Sequence, residues 1–394
     1  MQTEESGSKG GSMSRVSNER GAILALMALL MIIFLGLAAL AVDLGMLYVA
    51  RGEAQRAADA AAHAGAGHLQ QNFGDEAGAR EVAVQVGALN QIRGQPAQID
   101  PQEDIDIPAG EGLVRVRARR IAERGNAVGT LFAAAIGFRT MDIGASGAAR
   151  VWPATASDCV LPLALPDRWC TSPDGMGGCA EYSDGLESGQ SFDANAGHYY
   201  EPWLDPATQE PNPEWTGYSD ANFGDPLIIK PQGPQGSPQP GWYYAFRLPG
   251  SSGANDFRNS ISGCMTGDEE WGVGDIVYTE QGNMVGPTSQ GFNDVLNEYP
   301  DAYWDTSTNR PGGNPDHIAG RTRPIALFDP TQPPSGGTSP FEIANFAAVF
   351  IEGFDSNGDV IVRFVELTGL RPAPGWDPSQ GGPGTQLTVI RIVE

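Results

Sequence analysis

A chain of 394 residues has room for two domains, each with a core of its own. The formal net charge is −24, and nearly all of it falls late. Up to residue 152 there are 14 Lys and Arg against 16 Asp and Glu, and beyond it 10 against 32. So acidic a surface repels nucleic acid, which is not an expected partner, and chiefly keeps the distal part in solution.

The first 21 residues are polar and low in complexity, and read as a disordered cytoplasmic tail. Residues 22–42 (AILALMALLMIIFLGLAALAV) then run without one charge, from Ala22 through Leu26 and Phe34 to Val42. As a helix this run reaches about 30 Å, the thickness of a bilayer's hydrocarbon core. It predicts a single transmembrane helix. Lys9, Arg15 and Arg20 before it favour a cytoplasmic N-terminus by the positive-inside rule, although Arg51 and Arg56 follow it. Cys159, Cys170, Cys179 and Cys264 all lie after the span, an even number on what would be the oxidising side. Ala39-Leu40-Ala41 also fits a signal-peptidase site, but the apolar run exceeds an ordinary signal core and favours a retained anchor.

Beyond the span, residues 43–70 contain no proline, and residues 57–66 hold seven alanines in ten positions, so the helix is expected to continue. Gln55, Asp59 and His63, at i, i+4 and i+8, share a wet stripe. Small residues elsewhere, Ala58 and Ala61 among them, leave room for a neighbouring helix. A second helix is predicted over 81–93, stopped by Gly94 and Pro96. Residues 105–107 and 113–119 read as a hairpin, with Val114, Val116 and Ala118 on one face and Arg115, Arg117 and Arg119 on the other. A short helix over 127–136 and a strand over 140–151 complete an α+β unit, residues 43–152.

The string Asp43-Leu-Gly45, Tyr48, Arg51, then Gln55-Arg-Ala-Ala58-Asp59-Ala-Ala61, following Arg20-Gly21 and the apolar run, resembles the N-terminal module of TadG-like proteins of the bacterial tight-adherence (Flp) pilus-assembly system. The resemblance continues weakly to about residue 150. It implies a single-pass inner-membrane protein, with its C-terminal region periplasmic or extracellular, whose partners are the membrane and other pilus-assembly or envelope proteins. Pilins carry a glutamate five residues after their cleaved glycine. Here Leu26 stands at that distance from Gly21, which argues against processing and against life as a fibre subunit.

Residues 153–394 are rich in Gly, Pro and aromatics, with strands expected at 227–230, 242–248, 275–280, 325–328, 345–354, 359–367 and 386–393. Short strands separated by turn residues suggest a β sandwich or barrel. The surest hairpin spans 350–367 and turns at Asn357-Gly358, while 230–241 reads as a surface loop. The fold class expected overall is a membrane-anchored α+β protein with a mainly β distal domain.

Chemistry is sparse. Asp355, Asn357, Asp359 and Glu366 match part of a calcium-loop pattern, but Val360 stands where that loop needs glycine, so a plain hairpin is the better reading. His63, His68, His198 and His317 lack zinc spacing, and no nucleophile motif is present. No cofactor, metal or catalytic residue is expected. The clusters Tyr199-Tyr200-Trp203 and Trp242-Tyr243-Tyr244 suit a core better than a sugar site, leaving glycan adhesion as the alternative function. Four cysteines allow three pairings. Cys170–Cys179 with Cys159–Cys264 is preferred, the second closing a long loop worth up to about 4–5 kcal/mol.

Overall fold

The structure, a computed structural model, describes residues 16–72, 75–109, 111–176, 178–183, 191–205, 208, 210–231, 238–248, 253–263, 270–335, 337–373 and 386–393, with side chains from Ile23 onward. The start of the N-terminal tail, the middle of the expected 230–241 loop, Cys264 and Trp376 lie outside the described residues.

One helix dominates. α1 (Val16–Gln71) runs unbroken for 56 residues, about 84 Å at the standard rise. Gly45 and Gly52 do not interrupt it. From Ile23 to Val42 it is apolar on every side, and that section is not packed against any other described part of the chain. From residue 50 the pattern changes: Ala50, Ala54, Ala57, Ala58, Ala61, Ala62, Ala66 and Leu69 are buried. That spacing is one face of an amphipathic helix.

The alanine face is covered from within the chain, by α2 (Glu76–Leu89) and by a mainly antiparallel sheet. α2 was expected over 81–93. It starts earlier because the Asp75 side chain accepts a hydrogen bond from the Gly78 amide at 3.0 Å and caps it. It stops earlier because Arg93 and Gly94, both with positive φ, form a tight turn pairing Gln91–Ile92 with Gln95–Pro96.

The sheet begins with β1 (Ile105–Asp106), β2 (Leu113–Arg120) and β3 (Ile143–Pro153). In β2, Val114, Val116 and Ala118 face the helix, whereas Arg115 and Arg117 are exposed. The segment between β2 and β3 corrects the helix expected over 127–136. Val128–Gly129 pairs with Thr140–Met141, and between them lies a 3-10 turn, Ala133–Ile136, closed by Gly137 at φ 102°. Val128 packs on α1, but the large apolar residues beyond it (Leu131, Phe132, Ile136 and Phe138) are exposed, so no buried helical face forms here.

The distal part is a closed barrel. Its strands are β4 (Leu161–Pro166), β5 (Pro226–Pro231), β6 (Trp242–Arg247), β7 (Ile276–Thr279), β8 (Thr322–Phe328), β9 (Pro340–Glu342), β10 (Asn345–Phe354) and β11 (Val360–Val365). The ring runs β5-β11-β10-β8-β4-β6 and closes through parallel pairing of β5 with β6, while β7 and β9 extend it beyond β6. Inside, Leu163, Ile229, Tyr243, Leu327, Val349 and Val362 meet Phe257 and Ile261 of α3 (Gly253–Gly263) and Phe292 and Val295 of α4 (Val285–Glu298). The opposite strand faces are also buried, around Phe246, Phe328 and Phe350. Strands covered on both sides lose alternation and read as continuous apolar runs. The sequence reading missed β4, β9, α3 and α4; β4 carries prolines at 162 and 166 and β9 opens on Pro340, residues that argue against a strand.

The chain then returns to the first sheet. β12 (Leu367–Thr368) and β13 (Leu387–Val393) complete the order β12-β13-β3-β2-β1. Residues 386–393 were expected among the distal strands. They lie instead along β3, with Ile390 opposite Val151, where they satisfy the backbone groups of an edge that would otherwise stay unpaired. Cys170 and Cys179 are joined by a disulfide. Cys159 is also disulfide-bonded, and its expected partner, Cys264, is outside the described residues.

Close packing of β3 on α1 depends on Gly147. A Cβ there would sit 2.7 Å from the Asp59 amide nitrogen and 2.8 Å from the Ala58 carbonyl carbon, both fixed backbone atoms. Gly147→Ala is therefore expected to destabilise the stalk by about 1–3 kcal/mol, the usual range for overpacking. Gly129→Ala, where an added Cβ meets nothing within 4 Å, should be nearly silent. Thermal unfolding of the full chain in detergent compares the two.

Candidate functional site at the membrane-proximal end of the stalk

The motif residues of α1 divide by the direction they face. Asp43, one residue after the apolar run, is 3% exposed. Its carboxylate accepts hydrogen bonds from three successive amides, Leu131 (2.9 Å), Phe132 (3.0 Å) and Ala133 (2.6 Å). Burial opposes the ionised form, but the three donors outweigh it and hold the pKa below the usual carboxylate value. Asp43 thereby latches the hairpin between β2 and β3 to the point where α1 leaves its apolar section.

Ala58 and Ala61 are buried against the chain's own sheet and α2, so the neighbour they accommodate is internal. Gln55 donates to the Ser146 carbonyl at 2.9 Å and to Asp59 at 2.8 Å, tying helix to strand from the solvent side. His63 is exposed, whereas the His68 ring lies 2.8 Å from Asp75 at the turn into α2. Gly45, Tyr48 and Arg51 face outward, Tyr48 with 82% of its surface exposed. Leu26, Phe34 and Val42 are exposed along the apolar section; the side chain of Ala22 lies outside the described set.

Two concave regions lie further out. One, about 970 Å³ and open, is of mixed polarity, bordered by Arg115, Arg117 and Arg150 together with Gln55, Asp59 and the acids Asp104 and Asp106. The other, about 480 Å³, lies between the end of α1 and the barrel. There Arg310 donates to the Gln71 carbonyl at 2.8 Å and to the Asn72 side chain, with its guanidinium 5.5 Å from the Phe223 ring centre. Glu366 borders the same cleft, its carboxyl pushed up to about 8 by burial and by Asp220, with Arg310 opposing. A second buried acid, Asp167, is pushed to about 6 by burial although it accepts from the Tyr218 and Arg168 amides and the Tyr200 hydroxyl.

Among the described residues no three His, Cys, Asp or Glu converge as ligands to a metal ion would. The Asp355 carboxylate is taken up by the Asn357 and Asp359 amides at 2.8 and 2.9 Å, inside the hairpin turn. Tyr200, Trp203 and Tyr243 are buried, and Tyr199, Trp242 and Tyr244 half-buried. The Asp43 latch was not singled out by sequence reasoning for this role. Its one sequence signal was an acid placed directly at the end of an apolar span.

Residues 21–68 match a family model described as "Putative Flp pilus-assembly TadE/G-like". Over these residues the N-terminal segment is similar to that family. No curated protein and no solved structure matches the chain. The TadE/G-like segment comprises the apolar section, Asp43 and nearly all of the alanine face, and it ends before the barrel begins. The matched family is described by pilus assembly, not by a reaction.

Asp43→Asn retains one acceptor oxygen and aims an NH2 group at the remaining donors. Amide exchange at Leu131, Phe132 and Ala133 should accelerate at least about tenfold, as expected when hydrogen bonds to a charged group are lost. Exchange in the barrel should not change. Glu366 makes a separate, pH-dependent prediction. Its folded pKa of about 8 lies above the ordinary 4.5, so the folded state holds the proton more tightly and stability falls as pH rises through that interval. In thermal unfolding Glu366→Gln should match the parent near pH 4.5 and show a higher Tm above pH 8, a stability gain on the order of a few kcal/mol.

Proposed function

We propose that this chain is an inner-membrane-anchored, single-pass assembly protein of a Flp-type (tight-adherence) pilus, with its N-terminus cytoplasmic and its barrel periplasmic or extracellular. The observation that carries the reading is α1 itself: one uninterrupted helix that is apolar on every side from Ile23 to Val42 and forms the core of a folded stalk over its second half. Such a helix fits a membrane anchor rigidly joined to what it displays. The TadE/G-like match over the same residues supports a place among pilus or envelope components. Lys9, Arg15 and Arg20 support the orientation, and the Cys170–Cys179 disulfide suits an oxidising compartment.

The role is structural, not enzymatic. Because the alanine face is already covered, contacts with other apparatus proteins fall to the outward residues Gly45, Tyr48 and Arg51. Leu26, standing where pilins carry glutamate, supports a protein that stays in the membrane. Intact-mass analysis of protein from cells should find residues 1–21 retained and the protein confined to the inner membrane. A photo-crosslinking residue at Tyr48 should capture other subunits of the apparatus. A mature N-terminus at Ala22, with the chain in sheared fibres, would contradict the anchor and make it a fibre subunit.

A further inference from the structure

Packing partners change in order along α1. Near its C-terminal end, Ala61, Ala62, Ala66 and Leu69 pack with Val114, Val116, Ala149 and Val151. Further towards the apolar section, Ala50, Ala54, Ala57 and Ala58 pack with Ala118 and Val128. At Asp43 the partners are the Leu131, Phe132 and Ala133 amides. The β2–β3 hairpin thus runs alongside α1 towards the apolar section, and its tip arrives at the first residue after that section.

The tip is built, not slack. Val128–Gly129 pairs with Thr140–Met141, the Thr130 amide donates to the Arg139 carbonyl at 3.1 Å, and Asp43 holds the turn. It nevertheless presents apolar side chains outward: Leu131 63% exposed, Phe132 51%, Ile136 76% and Phe138 61%. From residue 125 to residue 141 the only charged side chain is Arg139, itself exposed. A soluble protein rarely displays such a patch without a partner. The remainder of α1 that it adjoins, Val42 and Leu44, is apolar and exposed as well.

We propose that this hairpin tip inserts into the lipid interface beside the span, a second, non-spanning membrane contact, with Arg139 directed at lipid phosphates. The inference rests on reading residues 22–42 as a membrane anchor. The interfacial layer is about 5–7 Å deep on each side of the hydrocarbon core, and a tip latched one residue past the span falls within it. Aromatic and aliphatic side chains flanked by a base are the composition that settles there. The span and the tip together fix the stalk at two points on the bilayer, so that it is held against tilting and not merely tethered.

The test uses the full chain in nanodiscs of phosphatidylethanolamine and phosphatidylglycerol, doped in separate preparations with lipid carrying a nitroxide high on the acyl chain, to read the tip, or near its end, to read Phe34 deep in the span. A fluorophore is placed by Ile136→Cys and, independently, by Phe138→Cys, both surface positions. Phe34→Cys reports the span, and Tyr303→Cys, exposed beside the far end of α1, reports the aqueous side. Quenching at Ile136 and Phe138 several-fold above that at Tyr303 is expected, falling when Asp43→Asn releases the tip. Strong quenching at Phe34 with Ile136 and Phe138 no higher than Tyr303 overturns the proposal while leaving the anchor intact. Protection of both tip positions from lipid nitroxide and from aqueous iodide also overturns it, since a protein would then cover the patch. Absence of quenching at Phe34 contradicts the anchor reading itself.

Discussion

The structure depends on the close contact between the alanine face of α1 and the small-residue strand β3. Helix and strand can approach only because neither carries bulk: Ala58 and Asp59 backbone on one side, Gly147 on the other. Such an interface has little apolar area per residue, and its strength comes from the number of atoms brought to van der Waals distance. It converts a helix that would otherwise be a free rod into the spine of a domain. Every other strand of the first sheet is ordered by reference to β3.

That spine also holds the barrel. β13 returns from the distal part to pair with β3, and Gln70 donates to both the carbonyl and the hydroxyl oxygen of Thr388 at 2.8 and 3.0 Å. Arg310 closes the same junction from the barrel side through the Gln71 carbonyl. The two ends of α1 therefore have complementary tasks. Its apolar section has no packing neighbour among the described residues, its polar end has several, and Asp43 marks the change. Most of the acidic charge falls after residue 152, which makes that part of the chain repel anionic surfaces.

Much of this was legible. A charge-free run of this length has few physical meanings, and an alanine-rich continuation without proline has only one favourable conformation. LVRVRAR announced its two faces by alternation, and Asn357-Gly358 its turn. What failed to show did so for identifiable reasons. Leu161–Pro166 is strand despite two prolines because barrel pairing overrides local preference. Residues 127–136 resemble a buried helix because apolarity is ordinarily a sign of burial, and here it is not. The destination of residues 387–393 could not be read at all, since a strand's pattern states which face is apolar but not which sheet it joins. At the candidate site, the identities of Asp43, Gln55 and Ala58 were visible, but their division into inward and outward sets required the sheet.

The central claim is that span and spine are one helix. Spin labels at Leu24 and His63, both exposed, measure it directly by double electron–electron resonance in lipid nanodiscs. Thirty-nine residues of continuous α-helix separate them by about 58 Å, and a single narrow distribution near that value is the expected result. A distribution that is broad or centred well below it would mean a break between membrane and stalk, and would contradict the account.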